Sequence, residues 1–175
     1  MQQESILRNT IFNLGNNIID SINRFKFFFK YGTTDYFNDI NIEINTGCNR
    51  RCEYCPNSKF ERGLLKYEKF MDKRLFKKII NELSAINFAG RISPQCYGEP
   101  LLDKRVIELM SYANKKLPNV CLVMITNGDF LTIDLYNKLI NAGIKKFIIT
   151  QHGHKMSPNI RKLFHYLQKS EMPLG

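Results

Sequence analysis

Nowhere do the 175 residues contain an uncharged apolar run near the ~20 positions that a membrane-spanning helix requires. The longest, Phe27 to Phe29 and Val120 to Ile125, stop far short, so neither a transmembrane protein nor a membrane partner is expected. The pattern of a secretory leader is missing as well: the first residues include acidic Glu4 and scattered Asn, without a basic patch, an apolar stretch and a small-residue cleavage site in order. The expected location is cytoplasmic. No low-complexity linker interrupts the chain. With 43% hydrophobic residues and a length near the rough ~150-residue domain, disorder and fibre are excluded and one core is expected.

Acidic residues are in short supply: 16 Asp and Glu face 26 Lys and Arg, a formal +10. The imbalance concentrates between Arg50 and Lys78, where ten basic residues meet four acidic ones (Glu53, Glu61, Glu68 and Asp72), a local +6. The ordinary reading is a solvated helix face. The other is attraction for something anionic, whether a phosphorylated substrate, an acidic electron donor or nucleic acid. Charge alone does not choose among these.

Between its turns the chain alternates strand and helix four times. Ile40 to Ile44 has the period of two of a strand, ended by Gly47. Leu75, Phe76, Ile79, Ile80, Leu83 and Ile86 then lie on one helical stripe. A short strand is predicted over Arg91 to Tyr97, stopping at Gly98-Glu99-Pro100, and a helix carries Val106, Leu109, Met110, Ala113 and Leu117 up to Pro118. Val120 to Thr126 is apolar enough for a strand covered on both faces. Asn127-Gly128 turns into a helix with Thr132 as N-cap and Gly143 as C-cap. Lys145 to Gln151 makes a fourth strand, and Ser157-Pro158 opens a last helix through Ile160, Leu163, Phe164 and Leu167.

Four such units imply parallel strands joined by right-handed crossovers, an α/β fold amounting to a partial TIM-type (β/α) barrel. Residues 1–36 are expected to form an N-terminal helical segment, with Leu7, Ile11, Leu14, Ile18, Phe25 and Phe28 at steps of three, four and seven. Its expected place is over an open end or edge of the sheet, and residues 37–175 form the core. A sheet ending at Lys145 to Gln151 would leave an apolar edge unpaired. The sequence is therefore expected to be a partial form of a longer chain, or to be covered there by the N-terminal helix or another subunit.

Cysteine is sparse and odd in number, five residues, which argues against a disulfide framework. Cys96 and Cys121 stand singly in apolar stretches and are expected as small hydrophobic core thiols. The other three form Cys48-x3-Cys52-x2-Cys55 directly after the first strand, at the end where parallel α/β proteins gather their chemistry. Soft sulfur ligands select zinc or an iron–sulfur cluster. A fourth ligand is lacking nearby: His152, His154 and His165 lie about a hundred residues downstream, without the close pairing of a structural zinc site. A 4Fe-4S cluster ordinarily takes four cysteines, so three would leave one iron open to a substrate or cofactor.

The segment Cys48-Asn49-Arg50-Arg51-Cys52-Glu53-Tyr54-Cys55 resembles the signature loop of the radical S-adenosylmethionine (radical SAM) enzymes. Tyr97-Gly98-Glu99-Pro100 after the second strand is similar to that family's glycine-glutamate motif for the SAM amino group, and Thr126-Asn127-Gly128 follows the third strand in the family's order. The resemblance implies a 4Fe-4S cluster on Cys48, Cys52 and Cys55, with SAM chelating the fourth iron. Tyr54 would approach the adenine. Glu99 and the Gly98 backbone, beside Pro100, would receive the amino group, while Asn127 and Gln151 would contact ribose or carboxylate. His152 stands where many relatives have Asp. No side chain is singled out as catalytic in itself.

The implied reaction is reductive cleavage of SAM to a 5'-deoxyadenosyl radical that takes hydrogen from an unidentified small-molecule or peptide substrate. A flavodoxin-like or ferredoxin-like electron donor is the implied partner, and nucleic acid is not expected. Relatives with the Gly-Glu-Pro pattern often add an auxiliary-cluster (SPASM) domain after the barrel; no cysteine follows Cys121 here. Two alternatives stand beside this reading: a non-catalytic zinc or iron–sulfur module, and a nucleic-acid-modifying enzyme of the same chemistry.

Overall fold

In the computed structural model, residues 21–22, 24–26, 28–29, 37–151 and 156–169 are described. The chain divides into two compact units, Met1–Asn38 and Asp39–Gly175. In the first, the described residues between Ser21 and Phe29 are helical; the expected capping role of residues 1–36 lies outside the described residues.

The second unit is built from four βα repeats. Strands β1 (Asp39–Asn41), β2 (Arg91–Ser93), β3 (Cys121–Thr126) and β4 (Ile144–Ile149) alternate with helices α1 (Lys73–Ala85), α2 (Val106–Lys116), α3 (Ile133–Asn141) and α4 (Pro158–Lys169). All neighbouring pairs are parallel and the order is β1-β2-β3-β4. Each strand lies beside its predecessor with no reversal of order, as in a (β/α) barrel and unlike a doubly wound sheet. All four C-terminal strand ends therefore open on one side.

Helix formation follows local chemistry. The Asp72 carboxylate accepts from the N–H of Arg74 at 2.7 Å and caps α1; Thr132 Oγ1 accepts from Leu135 N at 3.2 Å and caps α3. Gly143 ends the α3 turn with φ +100°, a conformation that a Cβ would strain. Apolar stripes face the sheet: Phe76, Ile80 and Leu83 from α1, Val106, Leu109, Met110 and Ala113 from α2, Leu139 from α3 and Leu163 from α4 are buried. In β3, Leu122, Val123 and Met124 are buried in succession, as expected of a strand covered on both faces.

Two strands are clearly shorter than the periodicity predicts. Pro94 has no N–H to donate, so the β2 ladder ends at Ser93 and not at Tyr97. Beyond Asn41 the first strand makes single bonds in its place: Ile42 N donates to Ser93 O at 2.8 Å and Ile44 O accepts from Met71 N at 2.8 Å.

Candidate functional site

The three cysteines follow this continuation of β1. The loop holding them is short and polar, and its backbone is held by one bond from outside and one within it. Cys48 N donates to Gly63 O at 3.1 Å and Cys55 N to Cys52 O at 3.0 Å. After Cys55, three short 3-10 turns (Pro56–Lys59, Glu61–Gly63 and Leu65–Tyr67) lead back to the sheet; the sequence reading had no signal for them, since single turns carry no sustained periodicity.

One cleft at the C-terminal strand ends is lined by Cys48, Cys52, Cys55, Tyr54, Gly98, Glu99 and Asn127 together. Eight further positions that sequence reasoning did not select for the site line it too: Arg50, Asn57, Gln95, Cys96, Tyr97, Ile125, Thr126 and Thr150. Pro100 is buried and starts the 3-10 turn Pro100–Leu102. Gln151 is exposed just past β4 and does not line the cleft, where Thr150 stands instead. His152 lies outside the described residues. Cys96 corrects an expectation: it is exposed, because the strand that was to bury it has already ended at Ser93.

Two backbones touch where the motifs meet. Glu99 N donates to Gly47 O at 2.8 Å, and a Cβ on Gly98 would lie 2.1 Å from Asn45 O. Only glycine permits this approach. Next to it, Glu99 is 3% exposed. Its Oε1 accepts from Thr126 Oγ1 at 2.7 Å and Leu101 N at 3.1 Å, its Oε2 from Asn127 N at 2.8 Å. Burial pushes its pKa up; the three donors oppose that, and the nearby charge of Asp129 adds to the rise. Among the described residues it has no ion-pair partner, and three donors leave about one of its four lone-pair positions for an incoming cation.

The turn after β3 grips the cysteine loop. Asp129 accepts from Asn49 Nδ2 at 2.8 Å and from Arg50 through Nε at 2.7 Å and Nη2 at 2.5 Å. Asn127 Nδ2 donates to Asn49 Oδ1 at 2.9 Å and stands 4.0 Å from Cys48 Sγ. The Arg50 guanidinium holds the Asp129 carboxyl below the usual carboxylate range. Nothing in the sequence separated Asp129 from an ordinary turn aspartate, because its partners lie about eighty positions away.

Cys48 is half-buried. Burial raises its pKa, the Arg50 N–H at 3.4 Å from Sγ opposes this, and the negative charges of Glu99, Cys52 and Cys55 raise it further. A bound metal centre reverses that balance, since its positive charge favours thiolates. No three His, Cys, Asp or Glu side chains among the described residues converge as the seat of a single metal ion. A cubane cluster needs no such convergence, because each thiolate binds a different iron. Three soft ligands in one loop, with a buried carboxylate beside them that has no cation partner among the described residues, fit an iron–sulfur cluster and a ligand bearing an ammonium group.

Comparison with known proteins agrees. The model of the Radical SAM superfamily matches residues 42–168. The S-adenosyl-L-methionine-dependent 2-deoxy-scyllo-inosamine dehydrogenase of Niallia circulans is 44% identical over 117 residues, 67% of this chain and 46% of that protein. A tungsten-containing aldehyde ferredoxin oxidoreductase cofactor-modifying protein of Pyrococcus furiosus is 29% identical over 132 residues, 72% of this chain and 34% of its own. Among solved structures, BtrN in complex with AdoMet and 2-DOIA superposes with a TM-score of 0.68 at 40% identity, covering 75% of this chain and 52% of that one. The chain thus spans about a third to a half of the relatives it matches.

Proposed function

The chain belongs to the radical SAM superfamily, enzymes that use a 4Fe-4S cluster and S-adenosylmethionine, and from that premise we propose that its cleft is the cofactor half of a radical SAM active site. Cys48, Cys52 and Cys55 would hold three irons of the cluster. When bound, cluster and SAM supply a one-electron cleavage of the sulfonium, giving methionine and a 5'-deoxyadenosyl radical that abstracts hydrogen from substrate. The Glu99 carboxylate and the Gly98 backbone receive the methionine ammonium, Tyr54 approaches the adenine, and Asn127 contacts ribose or carboxylate. Gln151 has the same proposed role, but Thr150 lies closer to the cleft. Pro100 fixes the backbone after Glu99.

The single observation that carries this reading is the buried Glu99 carboxylate, without an ion-pair partner among the described residues, in one cleft with three thiols. The substrate we favour is a small hydroxylated molecule, oxidised by hydrogen removal, on the strength of the likeness to the Niallia dehydrogenase. The expected electron donor is an acidic flavodoxin-like or ferredoxin-like protein, and the expected compartment is the cytoplasm, where a low-potential cluster is shielded from oxygen. Among the described residues no helix is long and apolar enough to cross a membrane.

The test is anaerobic reconstitution with iron and sulfide, followed by SAM and dithionite. 5'-Deoxyadenosine is expected from the wild type and not from C48A, C52A or C55A. A cluster whose spectrum ignores SAM would instead favour a non-catalytic metal module.

A further inference from the structure

Glu43 has no role in the cleft as described so far, yet two parts of the site are joined through it. It lies between Ile42 and Ile44, 3% and 0% exposed, so strand alternation turns its side chain away from that core face. Its Oε1 accepts the backbone N–H of Tyr97 at 2.9 Å and of Gly98 at 3.2 Å. Arg62 grips the same carboxylate with two nitrogens, Nη1 to Oε2 at 2.9 Å and Nη2 to Oε1 at 3.1 Å. Arg62 in turn belongs to the 3-10 turn whose Gly63 O holds Cys48 N and whose Arg62 O accepts from Thr46 Oγ1 at 2.9 Å.

Three successive amides of the turn after β2 thus point at the segment that leads into the cysteines: Tyr97 and Gly98 at Glu43, Glu99 at Gly47 O. A trans peptide is planar, so anchoring an N–H also fixes the carbonyl on its opposite side. Two of the three anchors are one carboxylate. Burial alone would raise the Glu43 pKa, but the Arg62 guanidinium and the two backbone donors outweigh it, so the group stays ionised and its charge is spent on Arg62. Glu99 is left as the cleft carboxylate without a cation among the described residues.

We propose that Glu43, held by Arg62, is a positioning residue that sets the Gly98–Glu99 turn at the distance from the cysteine loop at which SAM can bridge the two. The proposal rests on the reading of the cleft as a SAM site. Its test compares wild type, E43A, E43Q and R62A after anaerobic reconstitution, measuring iron and sulfide per chain and the SAM dissociation constant from the change in the paramagnetic spectrum of the reduced cluster. A wild type that does not respond to SAM removes the SAM reading itself, whatever the variants do.

Given a wild-type response, E43A keeps its iron and sulfide and binds SAM more weakly by on the order of tenfold, the size of effect seen when an outer partner of a ligand is removed. The loss in 5'-deoxyadenosine formation then lies mainly in KM for SAM and less in kcat. E43Q can still accept the two N–H bonds but loses the ion pair, so it falls between, as does R62A. Wild-type SAM affinity in E43A overturns the proposal, and so does iron lost in step with affinity across the variants. If E43A does not fold, wild-type affinity in both E43Q and R62A overturns it equally.

Discussion

Gly98 and Glu99 show how much of the site depends on single atoms. The atom that a Gly98→Ala Cβ would meet is a backbone oxygen, which cannot swing aside as a side chain would. The turn must move, and we expect a stability loss of roughly 1–3 kcal/mol together with loss of the SAM-induced spectral change. Glu99→Gln keeps the shape but removes the charge, so iron content should hold while SAM binding weakens by about tenfold or more, since a charge-assisted bond becomes a neutral one. Glu43 also makes a pH prediction. Burial works against its ionisation, but the Arg62 fork and the Tyr97 and Gly98 amides win, and its pKa sits below the ordinary 4.5. A carboxylate depressed in the folded state adds stability that is complete above its unfolded pKa and is lost as pH falls through the folded value. Urea unfolding of the cluster-free chain should therefore show a stability difference between wild type and E43Q that is constant near neutrality and shrinks as the pH is taken below 4.5.

The elements divide into those that make the barrel and those that carry the cleft. Capping of α3 by Thr132 belongs to the first kind: T132A should lower stability by about 1 kcal/mol and leave SAM affinity unchanged, as denaturation and spectral titration would show. The turn after β3 belongs to the second. Asp129 binds both Asn49 and Arg50 of the cysteine loop, so D129A loosens that loop, leaving Asn127 on Asn49 as its side-chain tie to the same turn. Its expected mark is a cluster that assembles but decays faster in air, with a stability loss of about 1–2 kcal/mol for a partly buried charged hydrogen-bond set. Pro94 has the opposite kind of influence. By stopping the β2 ladder it lets residues 95–99 leave the sheet and reach across to Glu43 and Gly47.

For the whole molecule the basic surplus has a structural account. Of the ten basic residues between Arg50 and Lys78, five (Arg50, Arg62, Lys73, Arg74 and Lys78) pair with carboxylates. Arg51 donates to the carbonyl oxygens of Asn57 and Phe60. Lys59, Lys66 and Lys69 remain exposed on the segment that follows the cysteines, near exposed Tyr54 and Phe60. An acidic electron donor meeting this surface would be steered by charge. Its rate of cluster reduction should fall severalfold between ~0.05 and ~0.5 M salt, where the screening length drops from about 14 to about 4 Å. A rate indifferent to salt would place the donor elsewhere.

The order of elements was legible in the sequence because each repeat carries its own period. The stripe of Phe76, Ile80 and Leu83 and the apolar run of Val120 to Thr126 are local facts, as are the Thr132 and Gly143 caps. Likewise, Cys48, Cys52 and Cys55 lie within eight positions, so their spacing alone marks a soft-metal loop. What the sequence could not give is contact between distant turns. Glu43 and Tyr97 are 54 positions apart and Arg50 and Asp129 are 79, and no local pattern distinguishes these charges from solvated ones. Their roles follow from parallel strands that bring every C-terminal end to one side, and that proximity exists only once the chain has folded.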